Sequence, residues 1–300
     1  MLQSSFSLYV ITVLIWGSTF FAIKLQLDVV DPIVSVAYRF AIAAAVLVAW
    51  CLIRRKDMHY TPRDHVWMAT QGFFLFSANY IFIYLATEQL TSGLVAVVFS
   101  TIVGWNIVLG RLFFATPITA QMIGGAVLGL GGLALVFWPE ITNVSLTDRA
   151  AQGLALSLFG TILASLGNMS SARNQFRGLP VLQVNAFAMA YGAAFTFFYA
   201  FWNGVPFTWD NSIAYISSLL YLAIFGSVIA FGTYLTLLGR IGAGRAAYAT
   251  VLFPVVALSL SVVMESYAFH HLSVIGAGLV LLGNVLVLAK PRHFQWLTRK

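Results

Sequence analysis

The chain has 300 residues, 60% hydrophobic and only 8% charged, with a formal net charge of +7. Soluble domains carry roughly 25% charged residues, and a water-soluble fold of this length could not hide so much apolar surface. Cys51 is the single cysteine, so no intramolecular disulfide is possible, and no Cys/His spacing suggests a metal or other cofactor.

Charge-free apolar runs recur from Phe6 to Ala289, which predicts an all-α integral membrane protein. Breaks at charges, prolines and polar clusters place ten helices near 6–24, 32–53, 66–87, 92–113, 118–138, 150–170, 180–202, 213–236, 246–266 and 272–289. The first run, within MLQSSFSLYVITVLIWG, lacks a cationic leader and a small-residue cleavage site, so it reads as a retained span rather than a signal peptide. The spans are continuously apolar rather than alternating, which argues against a barrel. Connections such as EQLTSG (88–93) and RIGAG (240–244) leave no room for a soluble domain.

With a cytoplasmic N-terminus, the inner connections hold Arg54, Arg55, Lys56, Arg63, Arg111, Arg173, Arg177, Arg240 and Arg245. The basic cytoplasmic tail, 291–300, and the adjoining Lys290 carry four more, so thirteen of the sixteen Lys and Arg residues fall inside. Lys24 and Arg149 fall outside, and Arg39 lies within a span. This asymmetry predicts an inner-membrane protein with both termini cytoplasmic. It also assigns the positive charge to a lipid bilayer partner and excludes a nucleic-acid one.

Residues 123–136, IGGAVLGLGGLALV, align without gaps to 275–288, IGAGLVLLGNVLVL, pairing Gly124 with Gly276 and Gly131 with Gly283. A nearly equal offset sets SGLVAVV (92–98) on AGRAAYA (243–249), and WGST (16–19) on LGNM (166–169). The shared offset predicts two five-helix halves, 1–142 and 149–290. Five is odd, so the second half enters the membrane from the opposite side, giving a 5+5 inverted repeat. Such repeats place a substrate site near the midplane at their interface. The four glycines lie on one face of spans five and ten, and predict close packing, within the bundle or in a homodimer.

The motifs WGSTFFAIK (16–24), DPIVSVAYRFAIAA (31–44), GRIGAGRAAYATVLFPVVA (239–257), Glu265 and IGAGLVLLGNVLVL (275–288) resemble the EamA-type members of the drug/metabolite transporter superfamily. Together they cover nearly the whole chain. The resemblance implies two five-helix repeats and export or import of a small metabolite such as an amino acid, nucleoside or sugar. Two departures stand out. Residues 99–103, facing Thr250 to Pro254, contain no proline, and Phe113 and Phe114 stand where a glutamate would match Glu265. Pro254 is expected to kink its helix beside the pathway, and its absence from the first half implies asymmetric gating.

Arg39 poses the sharpest question. Seven residues beyond Pro32, at ~1.5 Å each, it sits roughly 10 Å below the outer boundary, either snorkelling or capping, or facing a central cavity. In the second case its fork suits a carboxylate or phosphate. Tyr80, Tyr84 and Glu88 share one face of span three, with Asn79 beside it, and Trp16, Ser100 and Thr101 fall at similar depth. These residues are expected to form an amphipathic cleft for a small zwitterion or aromatic metabolite. Trp105, Asn168 and Tyr248 lie deeper and are expected to form an inner vestibule. Each alternatively serves interhelical hydrogen bonding or the interfacial belt.

No carboxylate falls near the middle of a span, which favours exchange or uniport over an acidic proton relay and leaves Glu88 or Glu265 as an outer gate. A lipid-modifying membrane enzyme would need a His/Asp/Glu cluster facing one leaflet, which is not visible. An assembly partner has only the paired glycines for support. Neither alternative predicts an inverted repeat, so the expectation is a secondary transporter, not an enzyme.

Overall fold

The computed structural model describes residues 4–26, 30–90, 92–142, 148–265 and 271–288, and the basic tail lies outside them. Ten helical rods are labelled in chain order. They are α1 (Ser5–Lys24), α2 (Pro32–Ile53), α3 (Pro62–Thr87), α4 (Ser92–Ser100 and Ile102–Phe114), α5 (Ala120–Val136), α6 (Asp148–Phe176), α7 (Val181–Trp202), α8 (Ile213–Ile241), α9 (Tyr248–Glu265) and α10 (His271–Leu288). Among the described residues, seven helices are long and apolar enough to cross a membrane. Three shorter apolar stretches, Ser5–Thr19, Ala120–Val136 and Ala243–Val256, accompany them. The outer surface is apolar in keeping, with Leu112, Phe198 and Val285 all more than 60% exposed. A surface of this kind is stable in lipid and not in water.

Local chemistry sets the helix starts. Asp31 caps α2 through the N–H of Ile33, with Pro32 in the first turn. Thr61 and Asp64 form a reciprocal capping box on α3, again with a proline at the first position. Thr119 and Ser212 cap α5 and α8 more simply, their hydroxyls accepting from the N–H of Met122 and of Tyr215. Gly242, at φ +85°, supplies the left-handed turn that separates α8 from the short helix Ala243–Ala246 before α9.

The contact pattern maps onto itself when α1–α5 are exchanged with α6–α10. Contacts α1–α8 and α3–α6 are equivalent under that exchange, as are α1–α9 with α4–α6 and α2–α8 with α3–α7. α5–α10 and α2–α7 are self-equivalent pairs, and both are extensive contacts. Both π-helical segments also fall in equivalent rods, Phe74–Ala78 in α3 and Leu222–Ile229 in α8.

Glycines bring α5 and α10 into backbone contact. A Cβ on Gly132 would lie 2.6 Å from the Gly276 carbonyl oxygen, and one on Gly283 would lie 2.9 Å from that of Gly125. Residue numbers rise on one helix as they fall on the other, so the pair is antiparallel. Gly276 and Gly283 thus do the packing expected of them, but their partners are Gly125, Gly129 and Gly132. Gly131 is exposed with nothing within 4 Å, and Gly124 meets only the Leu286 side chain at 3.3 Å. Adjacent glycines at 124/125 and 131/132 gave two possible faces about 100° apart, and the ungapped alignment selected the wrong one.

α6 extends to Phe176, six residues beyond the expected end. The polar cluster Asn168–Asn174 faces protein rather than water, with Asn168, Ser170, Ser171 and Asn174 all buried. Asn174 Nδ2 donates to Gln71 Oε1 (3.1 Å), whose Nε2 donates to Asn185 Oδ1 (3.2 Å), tying α6, α3 and α7 together.

Candidate functional site

A cavity of about 270 Å³ opens between α1, α2, α3, α4, α6, α8 and α9. Five residues expected to share a cleft line it, Trp16, Arg39, Asn79, Tyr80 and Tyr84, and so does Asn168, which was expected in an inner vestibule. Neither Asp nor Glu is among its lining residues.

Arg39 is buried and does not snorkel. Its Nε–H donates to Ser227 Oγ at 2.8 Å and its Nη2 to the Gly226 carbonyl at 3.2 Å. Both acceptors belong to the π-helical segment of α8, where the Ser227 hydroxyl in turn donates to the Leu222 carbonyl (3.0 Å). Trp16 Nε1 donates to the same Gly226 carbonyl at 3.2 Å. A π-turn displaces carbonyls from the regular ladder, and such turns concentrate at functional sites. The guanidinium carbon lies 5.4 Å from the Phe40 ring centre and 5.7 Å from that of Tyr80. Two of the five guanidinium N–H donors are therefore engaged with α8. Among the described residues no carboxylate lies within ion-pair distance of Arg39.

The wall that adjoins the π-turn is aromatic. Trp16 packs against Phe231 and Tyr234 with ring centres 5.1 and 4.9 Å apart, and Phe253 closes the corner at 6.2 Å. Thr19, Phe231, Tyr234, Thr250 and Phe253 all line the cavity. Sequence reading passed over them, although Ser227 and Tyr234, seven residues apart on α8, share a face and mark it as polar.

A second cavity, of about 360 Å³, lies toward the other end of the bundle, lined by Asn106, Phe114, Gln175, Arg240 and Gly244 among others. A polar layer stands where the two cavities meet. Asn106 Oδ1 accepts from Ser165 Oγ (2.6 Å) and from Asn168 Nδ2 (3.4 Å), and Asn168 Nδ2 also donates to Tyr234 OH (3.0 Å). Asn106 lines one cavity, Asn168 and Tyr234 the other.

Four expected residues do not reach the cavity. Ser100 is fully buried, and its hydroxyl donates to the Ala96 carbonyl (2.8 Å) and at 3.5 Å to the Thr250 carbonyl. Pro254 lies inside α9 and has no N–H, which frees the carbonyl four residues back, that of Thr250, for Ser100. Thr101 interrupts α4 and bonds back to the Val98 carbonyl (2.7 Å). Trp105 is half-buried outside the lining. Tyr248 is buried in the seam between α9 and α5, donating to the Met122 carbonyl, rather than in an inner vestibule. Depth alone selected these four, and rotation about the helix axis turns Ser100 and Tyr248 toward neighbouring helices instead. Glu88 is exposed at the end of α3 and lines neither cavity, although its neighbour Thr87 lines the first. Glu265 ends α9, and its side chain lies outside the described residues.

An apolar helical bundle enclosing a buried cation in an internal cavity is the architecture of a multi-pass membrane protein. The sequence pattern of the EamA-like transporter family matches residues 3–138 and again residues 151–289, and the chain belongs to that family. It is 25% identical over 284 residues to a protein of Archaeoglobus fulgidus named "Uncharacterized transporter", covering 93% of this chain and 97% of that one. It is 27% identical over 301 residues to the "Uncharacterized inner membrane transporter YedA" of Escherichia coli K12, covering 95% and 92%. A solved crystal structure with 19% sequence identity superposes with a TM-score of 0.80 over 97% of this chain and 99% of its own, which shows a shared fold.

Proposed function

We propose that the protein is a secondary transporter that moves a small amphipathic metabolite bearing a carboxylate or similar anion across the inner membrane by alternating access. Efflux or exchange is the expected mode, and amino acids are the first class to test. The observation that carries this reading is Arg39, a buried cation with unused donors, facing a cavity whose lining holds no carboxylate. An unpaired buried charge is strongly disfavoured, and an anionic cargo would supply the missing partner. The aromatic wall of Trp16, Tyr80, Tyr84 and Phe253 would take the apolar part.

We infer ten spans in two inverted five-helix repeats, 1–142 and 149–290, with both termini cytoplasmic. The exchange-symmetric contacts, the antiparallel α5–α10 seam and the asymmetric distribution of Lys and Arg support this arrangement. In that orientation the Arg39 cavity reaches Ile23 and Thr87 near the outer helix ends, and the polar layer around Asn106 forms the inner barrier. Of the four glycines that suggested close packing, within the bundle or in a homodimer, Gly276 and Gly283 are occupied by α5 within the chain.

The test is counterflow uptake into proteoliposomes of labelled amino acids, nucleosides and sugars, with no imposed ion gradient. The expected result is exchange of a carboxylate-bearing class that Arg39→Ala abolishes. If Arg39→Ala and Arg39→Lys, both correctly folded, left affinity and transport unchanged, the site assignment would fall.

A further inference from the structure

Four side chains that line neither cavity meet where α3 begins and α6 ends. The Arg173 guanidinium carbon lies 4.4 Å from the centre of the Trp67 ring, and Arg173 Nη1 donates to Asn174 Oδ1 at 3.2 Å. Arg63 lies one turn before Trp67 on α3. Arg177 lies one turn after Arg173, with its N–H closing the end of α6 on the Arg173 carbonyl (3.1 Å). Residues four apart share a helix face, so Arg63 and Arg177 fall on the seam that Trp67 and Arg173 define. Their charges act on Arg173 accordingly.

Asp64 is the carboxylate within reach of these arginines, and it is committed to the capping box. Its Oδ2 accepts from the Thr61 hydroxyl at 2.6 Å and from the Thr61 N–H at 3.3 Å. Among the described residues no carboxylate lies within ion-pair distance of Arg63, Arg173 or Arg177, and the Arg63 and Arg177 side chains make no hydrogen bond. Three guanidiniums thus repel one another around one spot, a cost that an anion would reverse.

Helix packing does not require them. In the exchange-equivalent contact, α8 against α1, the N-caps Thr61 and Ser212 correspond, which sets Ala214 where α3 has Arg63 and Ser218 where it has Trp67. The register of WGST on LGNM sets Ile23 where α6 has Arg173. The same seam is built at the other end of the bundle without the arginines.

We propose that Arg63, Arg173 and Arg177 bind the phosphate of an anionic phospholipid in the leaflet at this end of the bundle, the inner one in the orientation set by the Lys and Arg distribution. Guanidinium forks match phosphate oxygens, and basic pockets between helices on that side suit acidic headgroups. The surroundings select a lipid over a soluble anion. Arg63, Val66, Thr70 and Phe73 follow one another along one face of α3, and Val66, Phe73 and, beside Arg177, Phe176 are exposed apolar side chains along which acyl chains would lie. Trp67 holds the depth of an interfacial aromatic. Phosphatidylethanolamine brings an ammonium that the arginines repel, so the site prefers phosphatidylglycerol. This inference is independent of the Arg39 cavity and its cargo.

The experiment is native mass spectrometry of the full-length protein in detergent with an equimolar mixture of dioleoyl phosphatidylglycerol, phosphatidylethanolamine and phosphatidylcholine, paired with thermal unfolding in each lipid alone. The expected result is retention of phosphatidylglycerol at least about tenfold above phosphatidylcholine, and a midpoint raised by about 3 °C or more. Arg63→Gln combined with Arg177→Gln should lower that retention about tenfold and remove the shift. Arg54→Gln combined with Arg55→Gln, at the end of α2 on the same side of the membrane, should keep both. Arg63 and Arg177 are exposed, and if the double variant fails to fold, Arg177→Gln alone carries the test. Equal retention of the three lipids would overturn the site. Equal losses in the two double variants would also overturn it, reducing the effect to diffuse surface charge. A midpoint raised as far by inorganic phosphate alone would assign the arginines to a soluble anion and overturn the lipid.

Discussion

Arg39 and Trp16 donate to one and the same carbonyl oxygen, that of Gly226, each at 3.2 Å. The π-helical segment of α8 thereby holds a side chain from α1 and one from α2 on the same wall. Arg39 is oriented by what it gives up to α8, and the rest of its fork is left to face the cavity. Trp16→Phe keeps the ring but removes one of the two donors. Losing a hydrogen bond of about 1 kcal/mol, it should raise the half-saturating cargo concentration in counterflow roughly three- to tenfold with little change in maximal rate.

Arg39→Lys keeps the charge and loses the fork. A lysine ammonium cannot reach Ser227, Gly226 and a cargo anion with the same planar geometry. Exchange should fall by about tenfold or more, and Arg39→Ala should fall further, both measured against reconstituted protein amounts.

The glycine seam separates two substitutions one residue apart. Gly132→Ala drives a methyl into the backbone of α10, where Gly276 O would lie 2.6 Å away, and should cost about 1–3 kcal/mol. Gly131→Ala meets nothing within 4 Å and should be neutral or stabilising by up to about 1 kcal/mol. Thermal unfolding in detergent distinguishes them, and equal effects would contradict the register of the seam.

Asn106 is the shared acceptor of the layer between the cavities. Asn106→Ala should loosen that layer. In a Cys51→Ala background, a cysteine at Ala172, which lines the second cavity, should then react at least about threefold faster with a membrane-impermeant thiol reagent added from the Arg39-cavity side.

The carboxylates of the connections predict the pH response. Asp57 is held below its ordinary value by hydrogen bonds from His59, and Asp210 by hydrogen bonds from Ser212. A carboxyl whose folded pKa is lowered contributes its stability above the unfolded value and loses it as pH falls through the folded one. Both groups are exposed, so the effect is small, and the melting temperature should be flat from about pH 5 to 8 and decline only below about 4. Counterflow should be flat over the same upper range, because no carboxylate lines the cavity.

The all-helical membrane character was readable from the long charge-free apolar runs, because lipid allows few other structures for them. α6 broke that logic at Asn168–Asn174, where polarity marks burial against other helices rather than exit from the membrane. Arg39, Asn79, Tyr80, Tyr84 and Trp16 were singled out by depth and chemistry together, whereas Asn168, expected in an inner vestibule, lines the same cavity. Ser100, Thr101, Trp105 and Tyr248 were misplaced because depth does not report rotation about a helix axis. Gly226 and Ser227 were invisible for a different reason: neither glycine nor serine announces the π-turn that makes them acceptors for Arg39.

Between α5 and α10 the glycine pairs leave backbone against backbone. A contact in which backbone meets backbone, with only flanking side chains such as Val136 and Val287, has few rotamers to rearrange, so it would transmit a tilt rather than absorb it. Whatever turns α5 must turn α10, and the two halves of the chain are geared together along that edge. The freedom to open is thereby displaced to the far wall, where the helices meet through side chains.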